Sequence, residues 1–417
     1  KPQATDYKCG EMMTFTLTLQ GAGKIEPGRY FIDWSRSGDD GRREKGRVPA
    51  ESSSPLVIKT KIDKPGFVRI WAAVVDAKGV PYRKRFTGDP NTPEGKKALN
   101  RFEQTDKRVF FDGGAGAEVE KLTSVPEPAD FDAFWSRRRA RLAKVPMKAE
   151  MKEIKSKWKN MRVFAVSVAC AGPRPSTGYL TVPKKPGKYP IVVDFHGYGH
   201  TYPGKGYVVR PTYWGDRTIS FHCSPHGYEL EREKEYYEEF FRSICSGGCT
   251  FCFDKKQNED PENSYFSGYT YRIMRAIEWL KTVPEWDGKN FRVNGGSMGG
   301  LQSIWAAGLV EGVSHCTPIV PWCCDMGGRD TLKRLVNTWY IQETPALRYY
   351  DPVNLAKRIS KKCKVEITRA GLGDYCCPPM GLAKLWNNIP GNKEIKWVQG
   401  SQHGYVPPPY EGRDFVR

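Results

Sequence analysis

One serine lies among glycines in the segment VNGGSMGG, residues 293–300. A serine hydroxyl attacks an ester or amide carbonyl only when a neighbouring base takes its proton. The pattern G-x-S-x-G, here Gly295, Ser297 and Gly299, is typical of a sharp strand-to-helix turn that exposes such a serine. Small residues are needed because the serine backbone is strained and larger flanking side chains would collide with neighbouring elements. Ser297 is therefore the predicted nucleophile, and a flexible glycine loop is the alternative.

The base must come from the six histidines of the chain. In enzymes built on this serine turn the chain order is serine, then acid, then histidine, and only His315 and His403 follow Ser297. His315 lies at the start of a predicted strand, SHCTPIV, and should be at the end of the sheet away from the serine. His403 follows the last predicted strand, in the loop GSQHGY, and is the predicted general base.

The acid that orients this histidine should lie in the loop after the preceding strand. The segment KVEITRAGLGD, residues 364–374, alternates apolar and polar positions and then ends in a glycine-rich turn at Asp374. The alternatives are Asp325, Asp330 and Asp351. Asp325 follows the strand TPIVPWC and is the best of these, but the strand count and its distance from the last strand favour Asp374.

Acyl transfer also requires hydrogen-bond donors for the oxyanion that forms at the attacked carbonyl. The backbone amide of Met298, next to the serine, is one predicted donor. The turn HGYG, which follows an earlier strand, supplies the second through the backbone amide of Tyr198. His196 lies before a glycine in the same turn and is interpreted as a structural histidine.

Strands that alternate with helices must position these residues. Such alternation predicts a mostly parallel sheet covered by helices, and the serine turn makes it an α/β-hydrolase fold. We assign residues 119–417 to this catalytic domain. The segments that carry the pattern are YPIVVDFHGYG, RTISFHCSPHGY, YTYRIMRAIEWLKTV, KNFRVNGGSMGGLQSIWAAGLVEG, SHCTPIVPWCC, KKCKVEITRAGLGD and NKEIKWVQGSQHG.

The chain before this domain has a different pattern. Residues 11–87 contain alternating and β-branched runs separated by turns, such as MMTFTLTLQ and GFVRIWAAVVDAKG, which predicts a small all-β sandwich similar to an immunoglobulin fold. The polar, glycine-rich passage from TGDPNTPEGKK to FFDGGAGAEVEK is interpreted as a connector. Residues 1–118 thus form the predicted N-terminal β-sandwich domain with its connector, which either braces the catalytic domain or binds glycan; bracing is favoured.

Composition limits the partners of the chain. The 66 Lys and Arg residues exceed the 47 Asp and Glu residues and give a net charge of +19, but no nucleic-acid motif accompanies them, so a solvated basic surface is expected. An acidic glycan is the partner that this charge favours. No run of 18 apolar residues occurs, so we expect no membrane span.

Twelve cysteines, several of them close together, favour an oxidising compartment with disulfides. The chain begins KPQATDYKCG, without an initiator methionine or an apolar signal core, and a secreted or periplasmic mature product is expected. Cys245 and Cys249 lack a matching Cys or His pair at zinc-site spacing, so no metal is expected. Buried free thiols are the alternative.

These motifs together resemble carbohydrate esterase family 7, the acetyl xylan esterases and cephalosporin C deacetylases. The resemblance runs from about residue 126 to residue 405. ADFDAFW is similar to the opening helix of that family, VVDFHGYG to its oxyanion strand and turn, and GGSMGG to its serine motif, with Met298 where a glutamine is usual. GLGDYCCPP is similar to its acid segment, in which an aspartate precedes Cys-Pro-Pro, and this match is the most specific.

By position, the resemblance implies Ser297 as nucleophile, Asp374 as acid, His403 as base, and the amides of Tyr198 and Met298 as oxyanion donors. It also implies deacetylation of acetylated sugars or xylan fragments without a metal or another cofactor. The oligomeric state stays open.

Three other functions are weighed against this one. A feruloyl or other bulky-acyl carbohydrate esterase is the first alternative, a peptidase of related fold is another, and a catalytically inactive glycan-binding protein comes from a different class. Rings on loops near the expected catalytic edge could stack on a sugar or an aromatic acyl group, and core packing is the alternative for each. These substrate-binding candidates are Tyr202, Trp214, Trp322 and Tyr375.

Overall fold

The computed structural model describes residues 3–19, 28–51, 54–103, 107–207, 215–248, 250–337 and 339–407. All statements about elements below refer to these residues.

Six strands at the N-terminal end form two small antiparallel sheets. One has the strand order β3-β2-β5-β6 and the other pairs β1 with β4. Side chains from both sheets, among them Phe15, Ile32, Ile58 and Ile70, share one buried apolar core, which confirms the predicted small β-sandwich. The strands are β1 (Met13–Leu17), β2 (Tyr30–Gly38), β3 (Glu44–Pro49), β4 (Leu56–Thr60), β5 (Gly66–Asp76) and β6 (Phe110–Ala117).

The passage predicted as a connector contains a helix and a strand that were not predicted from the sequence. They are the helix α1 (Pro93–Glu103) and the strand β6. Glycine-rich strands are weak by propensity, but here the glycines allow close approach. A Cβ on Gly114 would lie 2.2 Å from the carbonyl oxygen of Val68, and one on Gly113 would lie 2.0 Å from Oε1 of Gln399 in the catalytic part of the chain.

The larger part of the chain is built around a nine-stranded sheet with the order β17-β16-β15-β14-β10-β13-β9-β8-β7. The six strands from β17 to β13 pair in parallel, and β9, β8 and β7 add an antiparallel edge. The mostly parallel sheet confirms the predicted α/β architecture. Its strands are β7 (Ala149–Ile154), β8 (Met161–Val168), β9 (Ser176–Pro183), β10 (Tyr189–Phe195), β13 (Ile219–Ser224), β14 (Trp286–Gly296), β15 (His315–Ile319), β16 (Lys364–Gly371) and β17 (Lys393–Val398). A separate two-stranded pair is β11 (Tyr202–Pro203) and β12 (Gly206–Tyr207).

Helices cover this sheet and bury its strands, which is why the inner strands read as continuous apolar runs. The helix that follows the serine packs against β14 and β15 and is almost wholly buried. The helices are α2 (Phe131–Ala143), α3 (Lys234–Ile244), α4 (Tyr265–Leu280), α5 (Met298–Leu309), α6 (Pro352–Leu355) and α7 (Pro379–Asn388). Short 3₁₀ turns span Val119–Lys121, Gly215–Arg217, Lys255–Asn258, Pro345–Tyr349 and Ala356–Arg358.

The eleven cysteines that the structure describes are all free thiols, so the predicted disulfides are not found among them. Several of these thiols, including those of Cys223, Cys316 and Cys363, are buried in the apolar core, where cysteine acts as a small hydrophobic residue. Cys249 lies outside the described residues. Over the same part of the chain, no helix is long and apolar enough to cross a membrane.

Candidate active site

Ser297 lies on the sharp turn between β14 and α5. Its backbone has φ 54° and ψ −116°, a conformation that residues with a side chain rarely adopt. The turn is held on both sides, because the Ser297 amide donates to the carbonyl of Ile319 at 2.9 Å and the Trp322 amide donates to the carbonyl of Ser297 at 3.0 Å. The strain therefore persists because neighbouring strand ends fix this backbone.

The glycines beside the serine are required by close backbone contacts. A Cβ on Gly299 would lie 2.2 Å from the carbonyl oxygen of Phe195, and one on Gly295 would lie 2.6 Å from the same oxygen. A Cβ on Gly300 would lie 2.8 Å from Cα of Pro321. The glycine-rich segment is thus a tightly packed turn rather than a flexible loop.

His403 and Asp374 lie side by side at the C-terminal ends of the last two strands. Nδ1 of His403 is 2.9 Å from Oδ2 of Asp374. The carboxylate is buried, with 2% of its side chain exposed, whereas 35% of the imidazole is exposed. A buried carboxylate that accepts from Nδ1 fixes the orientation of the ring and selects the tautomer in which Nε2 carries no proton.

Backbone amides hold both loops in place. The other carboxylate oxygen of Asp374, Oδ1, accepts from the amides of Cys376 at 3.0 Å and Cys377 at 2.9 Å. The acid loop is also tied to the histidine loop, because the Gly373 amide donates to the carbonyl of Ser401 at 3.1 Å. The relative position of the acid and the imidazole is therefore set by backbone contacts.

The hydrogen bond with Asp374, together with a contact to the Cys376 thiol, raises the pKa of His403 well above 6.5. A contact with Cys377 and the proximity of His403 lower the pKa of Cys376. Both shifts favour an imidazolium beside negative charge. His403 must lose this proton before it can act as a base, so the environment moves its basic range to alkaline pH.

The rival acids and the rival histidine have other partners. Asp325 forms an ion pair with Arg334, with Oδ2 to Nη1 at 2.5 Å, and its Oδ2 is thereby occupied. Asp351 accepts from three backbone amides, of Asp325, Met326 and Val353, and caps α6. His315 starts β15 and its Nδ1 lies 3.0 Å from the Ser314 hydroxyl, at the opposite end of the sheet from Ser297.

The two residues predicted as oxyanion donors lie on turns that the structure ties together. Met298 is the first residue of α5, and the first amides of a helix have no partner within it. Tyr198 lies on the turn after β10, and the Gln302 side chain joins this turn to the helix, because Nε2 donates to the carbonyls of both His196 and Met298 at 3.0 Å. Burial lowers the pKa of His196 to about 4, which keeps that ring neutral, in keeping with a structural histidine.

An aromatic cavity opens beside the turn. The rings of Tyr198, Phe253, Trp322 and Trp339 contact one another with centroids 4.7 to 6.2 Å apart. Trp322 and Trp339 line a small cavity that is open to solvent, and Cys376 forms part of its wall. Because the Trp322 amide bonds to Ser297 and the Cys376 thiol contacts His403, this cavity borders the serine and histidine.

The four aromatic residues selected as substrate-binding candidates have different positions. Trp322 lines the cavity just described. Tyr202 is buried and stacks on Tyr237 with centroids 4.9 Å apart, so its ring packs in the core. Tyr375 is also buried, under the Arg69 guanidinium at 4.6 Å. The structure therefore does not bring Tyr202 or Tyr375 to the cavity, and Trp214 lies outside the described residues.

Contacts from the N-terminal sheet to the histidine loop were not foreseen from the sequence. Asp112 on β6 pairs with Arg69 at 2.6 Å and accepts from Nε2 of Gln402 at 2.6 Å. The Gln399 side chain bonds to both the amide and the carbonyl of Gly114, each at 2.8 Å. The run GGAG within β6 was the signal that could have indicated this close approach.

One further cluster could hold a cation. Asp374, Cys376, Cys377 and His403 each offer a ligand atom, and these four atoms all lie within 4.8 Å of one another. The spacing of the cysteines did not predict this cluster, because His403 lies 26 residues after Cys377 along the chain.

Comparisons with known proteins bear on the whole arrangement. Residues 119–415 match the family described as acetyl xylan esterase (AXE1). The acetyl esterase Axe7A of Xylanibacter ruminicola is 32% identical over 327 residues, which cover 72% of this chain and 70% of that protein.

Two solved structures have a similar fold. The acetyl xylan esterase from Paenibacillus sp. R4 gives a TM-score of 0.55 at 21% identity, and acetyl xylan esterase 1 from Thermoanaerobacterium sp. JW/SL YS485 gives 0.57 at 22% identity. Each alignment covers 70% of this chain and 94% of the other. The α/β-hydrolase fold, the family match and the 32% identical relative agree: the chain belongs to the acetyl xylan esterase family and is a carbohydrate esterase, a carboxylic ester hydrolase.

Proposed function

We propose that this enzyme removes acetyl groups from acetylated sugars or polysaccharides such as xylan, with Ser297 as nucleophile, His403 as general base and Asp374 as the acid that orients it. The observation that carries the proposal is the contact between Nδ1 of His403 and Oδ2 of Asp374 at the carboxyl edge of the same sheet whose strand β14 leads into the strained turn at Ser297. The three residues follow β14, β16 and β17 in the chain order of serine hydrolases.

In the first step the Ser297 hydroxyl attacks the ester carbonyl carbon while Nε2 of His403 takes its proton. Asp374 accepts the hydrogen bond from Nδ1, so it selects the tautomer with a free Nε2 and stabilises the imidazolium that forms. The imidazolium then gives its proton to the departing sugar oxygen. The products of this step are the free sugar hydroxyl and an acetyl group on Ser297.

The negative charge that develops on the carbonyl oxygen needs donors already in place. The amides of Met298 and Tyr198 are assigned this role. Gln302 holds the carbonyl of Met298 and that of His196 on one side chain, and thereby keeps the two turns at a constant separation. Met298 donates through its backbone, so the methionine side chain does not alter this function.

In the second step a water molecule replaces the sugar. His403 takes a proton from this water as the oxygen attacks the acetyl carbonyl, and the proton returns to Ser297 as acetate leaves. Both steps use the residues of this chain alone.

The relatives are named as an acetyl esterase and two acetyl xylan esterases. These names indicate acetyl as the acyl group and xylan as one polymer. One aromatic wall of the cavity favours a second candidate, a feruloyl or other bulky-acyl esterase, because Trp339, which is 36% exposed, offers a face on which an aromatic acyl group could stack. Acetyl is preferred here because the family and the relative are named for acetyl esters, and the face of Trp339 suits a sugar ring as well.

Acetate release from a panel of acetylated polysaccharides, together with p-nitrophenyl esters of increasing acyl size, tests the proposal. We expect kcat/KM to be highest for acetyl and to fall as the acyl group grows. Rates that rise from acetyl to feruloyl would support the second candidate instead. Acidic and neutral acetylated oligosaccharides belong in the same panel, because the +19 charge predicts that salt lowers activity on the acidic ones only.

We further propose that residues 1–118 form a domain that braces the catalytic loops. The support is the set of contacts at β6, where Asp112 accepts from Gln402 and Gly114 pairs with Gln399. Gln402 immediately precedes His403, and the Arg69 partner of Asp112 also covers Tyr375, next to the acid. The ion pair between Arg69 and the buried Asp112 thus contacts Gln402, next to His403, and Tyr375, next to Asp374.

Replacing Gln402 with alanine is expected to lower kcat on the order of tenfold while KM and the melting temperature change little. The side chain touches no reacting atom, so its loss acts through the position of the His403 loop, and small misplacements of a base are costly. Steady-state kinetics on p-nitrophenyl acetate and a thermal melt measure this.

The control is Asp33→Asn, which breaks an exposed ion pair with Arg47 elsewhere in the N-terminal part and should leave kcat unchanged. Equal kcat values for Gln402→Ala and wild type would reject bracing through this contact.

A secreted or periplasmic location stays a prediction, for which a polymeric substrate is the support.

A further inference from the structure

Two thiols beside the proposed base and acid have no part in the esterase mechanism. Sγ of Cys377 lies 3.7 Å from Nδ1 of His403, and Oδ2 of Asp374 lies 2.9 Å from the same nitrogen. Cys376 contacts both Cys377 and His403, and all four ligand atoms lie within 4.8 Å of one another. Carboxylates, imidazoles and thiolates are the side-chain groups that bind zinc in proteins.

Two distances from Nδ1 of His403 can be compared with those of a tetrahedral site. Zinc bonds of about 2.0 to 2.3 Å place neighbouring ligand atoms about 3.3 to 3.8 Å apart. The spacing from Nδ1 to Sγ of Cys377 is within this range, and the spacing from Nδ1 to Oδ2 of Asp374 is shorter by a few tenths of an ångström. Small side-chain rotations would therefore admit an ion.

The site is also organised by its own loop. Three of the four ligands lie within four residues of one another, and Oδ1 of Asp374 is held by the amides of Cys376 and Cys377. Hydrogen bonds to a ligating carboxylate fix its orientation and strengthen metal binding. Cys376 forms part of the cavity wall and His403 is partly exposed, so an ion can reach the cluster from solvent.

We infer that Asp374, Cys376, Cys377 and His403 form a binding site for Zn²⁺ or a similar thiophilic divalent cation, and that occupation of this site switches the esterase off. Thiolate ligands select such ions over Mg²⁺ and Ca²⁺, which prefer oxygen. The ion is an inhibitor, since the proposed mechanism uses no metal. The inhibitory half of the inference rests on the proposed function, whereas the binding half does not.

The proton balance explains the inhibition. Binding displaces two protons in all from the set of Cys376, Cys377 and His403, and both are released to solvent. The ion also takes the lone pair of Nδ1, and the single proton of the neutral imidazole then resides on Nε2. A protonated Nε2 cannot accept the proton of Ser297, and Asp374 is no longer free to stabilise an imidazolium. Removal of the ion restores the original tautomer.

The test uses the full chain, reduced and treated with a chelator that is then removed. We expect Zn²⁺ to abolish hydrolysis of p-nitrophenyl acetate at one equivalent, and a chelator to restore it, whereas Mg²⁺ has no effect. Binding is measured independently with Co²⁺, whose thiolate charge-transfer and tetrahedral d–d absorption report two sulfur ligands without reference to activity.

Cys376→Ser should raise the half-inhibitory Zn²⁺ concentration by at least about tenfold and remove most of the thiolate absorption. Cys170→Ser, which changes a half-buried thiol elsewhere in the chain, is the matched control and should behave as wild type. Full activity of the wild type in excess Zn²⁺ combined with absence of the Co²⁺ bands would overturn the inference. So would equal sensitivity of Cys376→Ser and wild type.

The two proposals fail in distinguishable ways. Co²⁺ bands in a chain that shows no esterase activity even without metal would support the site and count against the proposed function. Esterase activity that is insensitive to Zn²⁺, in a chain that shows no Co²⁺ bands, would support the proposed function and count against the metal site.

Discussion

Ser297→Ala is expected to lower hydrolysis of p-nitrophenyl acetate by at least about 10⁴-fold, because no other group of the proposed site can form the acyl-enzyme. The fold should be kept, because alanine fits in the space of serine and has the same energetic cost for a backbone at φ 54°. Steady-state kinetics and a thermal melt measure the two effects. A fluorophosphonate probe should label the wild type and leave the variant unlabelled.

The control lies on the same helix. Ser303 is buried, and its hydroxyl donates to the carbonyl of Gly299 at 2.9 Å, so Ser303→Ala removes a serine hydroxyl close to the turn without touching the proposed chemistry. This variant should retain activity within a few-fold and still react with the probe. Wild-type turnover in Ser297→Ala would refute the assignment of the nucleophile.

Asp374→Asn is expected to lower kcat by about 10³- to 10⁴-fold, as removal of the corresponding acid does in other serine hydrolases. The amide cannot stabilise an imidazolium, and when its oxygen no longer accepts from Nδ1 the ring loses its tautomer. Because the carboxylate is buried, no other anion replaces it from solvent. Kinetics on p-nitrophenyl acetate across a pH series measures the effect.

The same variant should change the pH dependence in a defined direction. In the wild type the hydrogen bond with Asp374 raises the pKa of His403 above 6.5, so activity is lost as the pH falls through this raised pKa. The acid limb of the profile should therefore lie above pH 6.5, and in Asp374→Asn the residual activity should extend to lower pH. An unchanged acid limb would contradict the proposed pairing.

The raised pKa of His403 makes stability depend on pH in the opposite direction to activity. A raised histidine pKa contributes stability that is fully present below the unfolded value of about 6.5 and is lost as the pH rises through the folded pKa. The melting temperature of the wild type should fall over this window by more than that of Asp374→Asn. Asp330→Asn removes a carboxylate that was a rival for the acid, and it should leave both kcat and the pH profile close to those of the wild type.

Much of the fold followed from local patterns. The alternation of apolar strands with helices predicted the mostly parallel sheet, and the alternating runs between residues 11 and 87 predicted the sandwich. Strand β6 was missed, because its composition is that of a loop. Only the approach of Gln399 and Val68 to Gly113 and Gly114 explains why glycine stands in a strand there.

The aromatic residues predicted to bind substrate differ from the structure for a second reason. Tyr202 and Tyr375 were selected because their loops follow strands near the serine, yet both rings are covered, one by Tyr237 and the other by Arg69 of the N-terminal part. A loop position indicates proximity to an edge of the sheet. It does not indicate which direction a ring takes, since that depends on packing partners far away in the sequence.

The sequence by itself determined the serine turn, the order of Ser297, Asp374 and His403 after successive strands, and the sheet that carries them, because these depend on periodicity and backbone requirements within a few residues. The tertiary structure decided what surrounds them. It placed the thiols of Cys376 and Cys377 against His403, which lies 26 residues after Cys377 along the chain, and it docked Asp112 onto Gln402 across 290 residues. Contacts of this kind depend on how distant strand ends meet, and no local pattern encodes them.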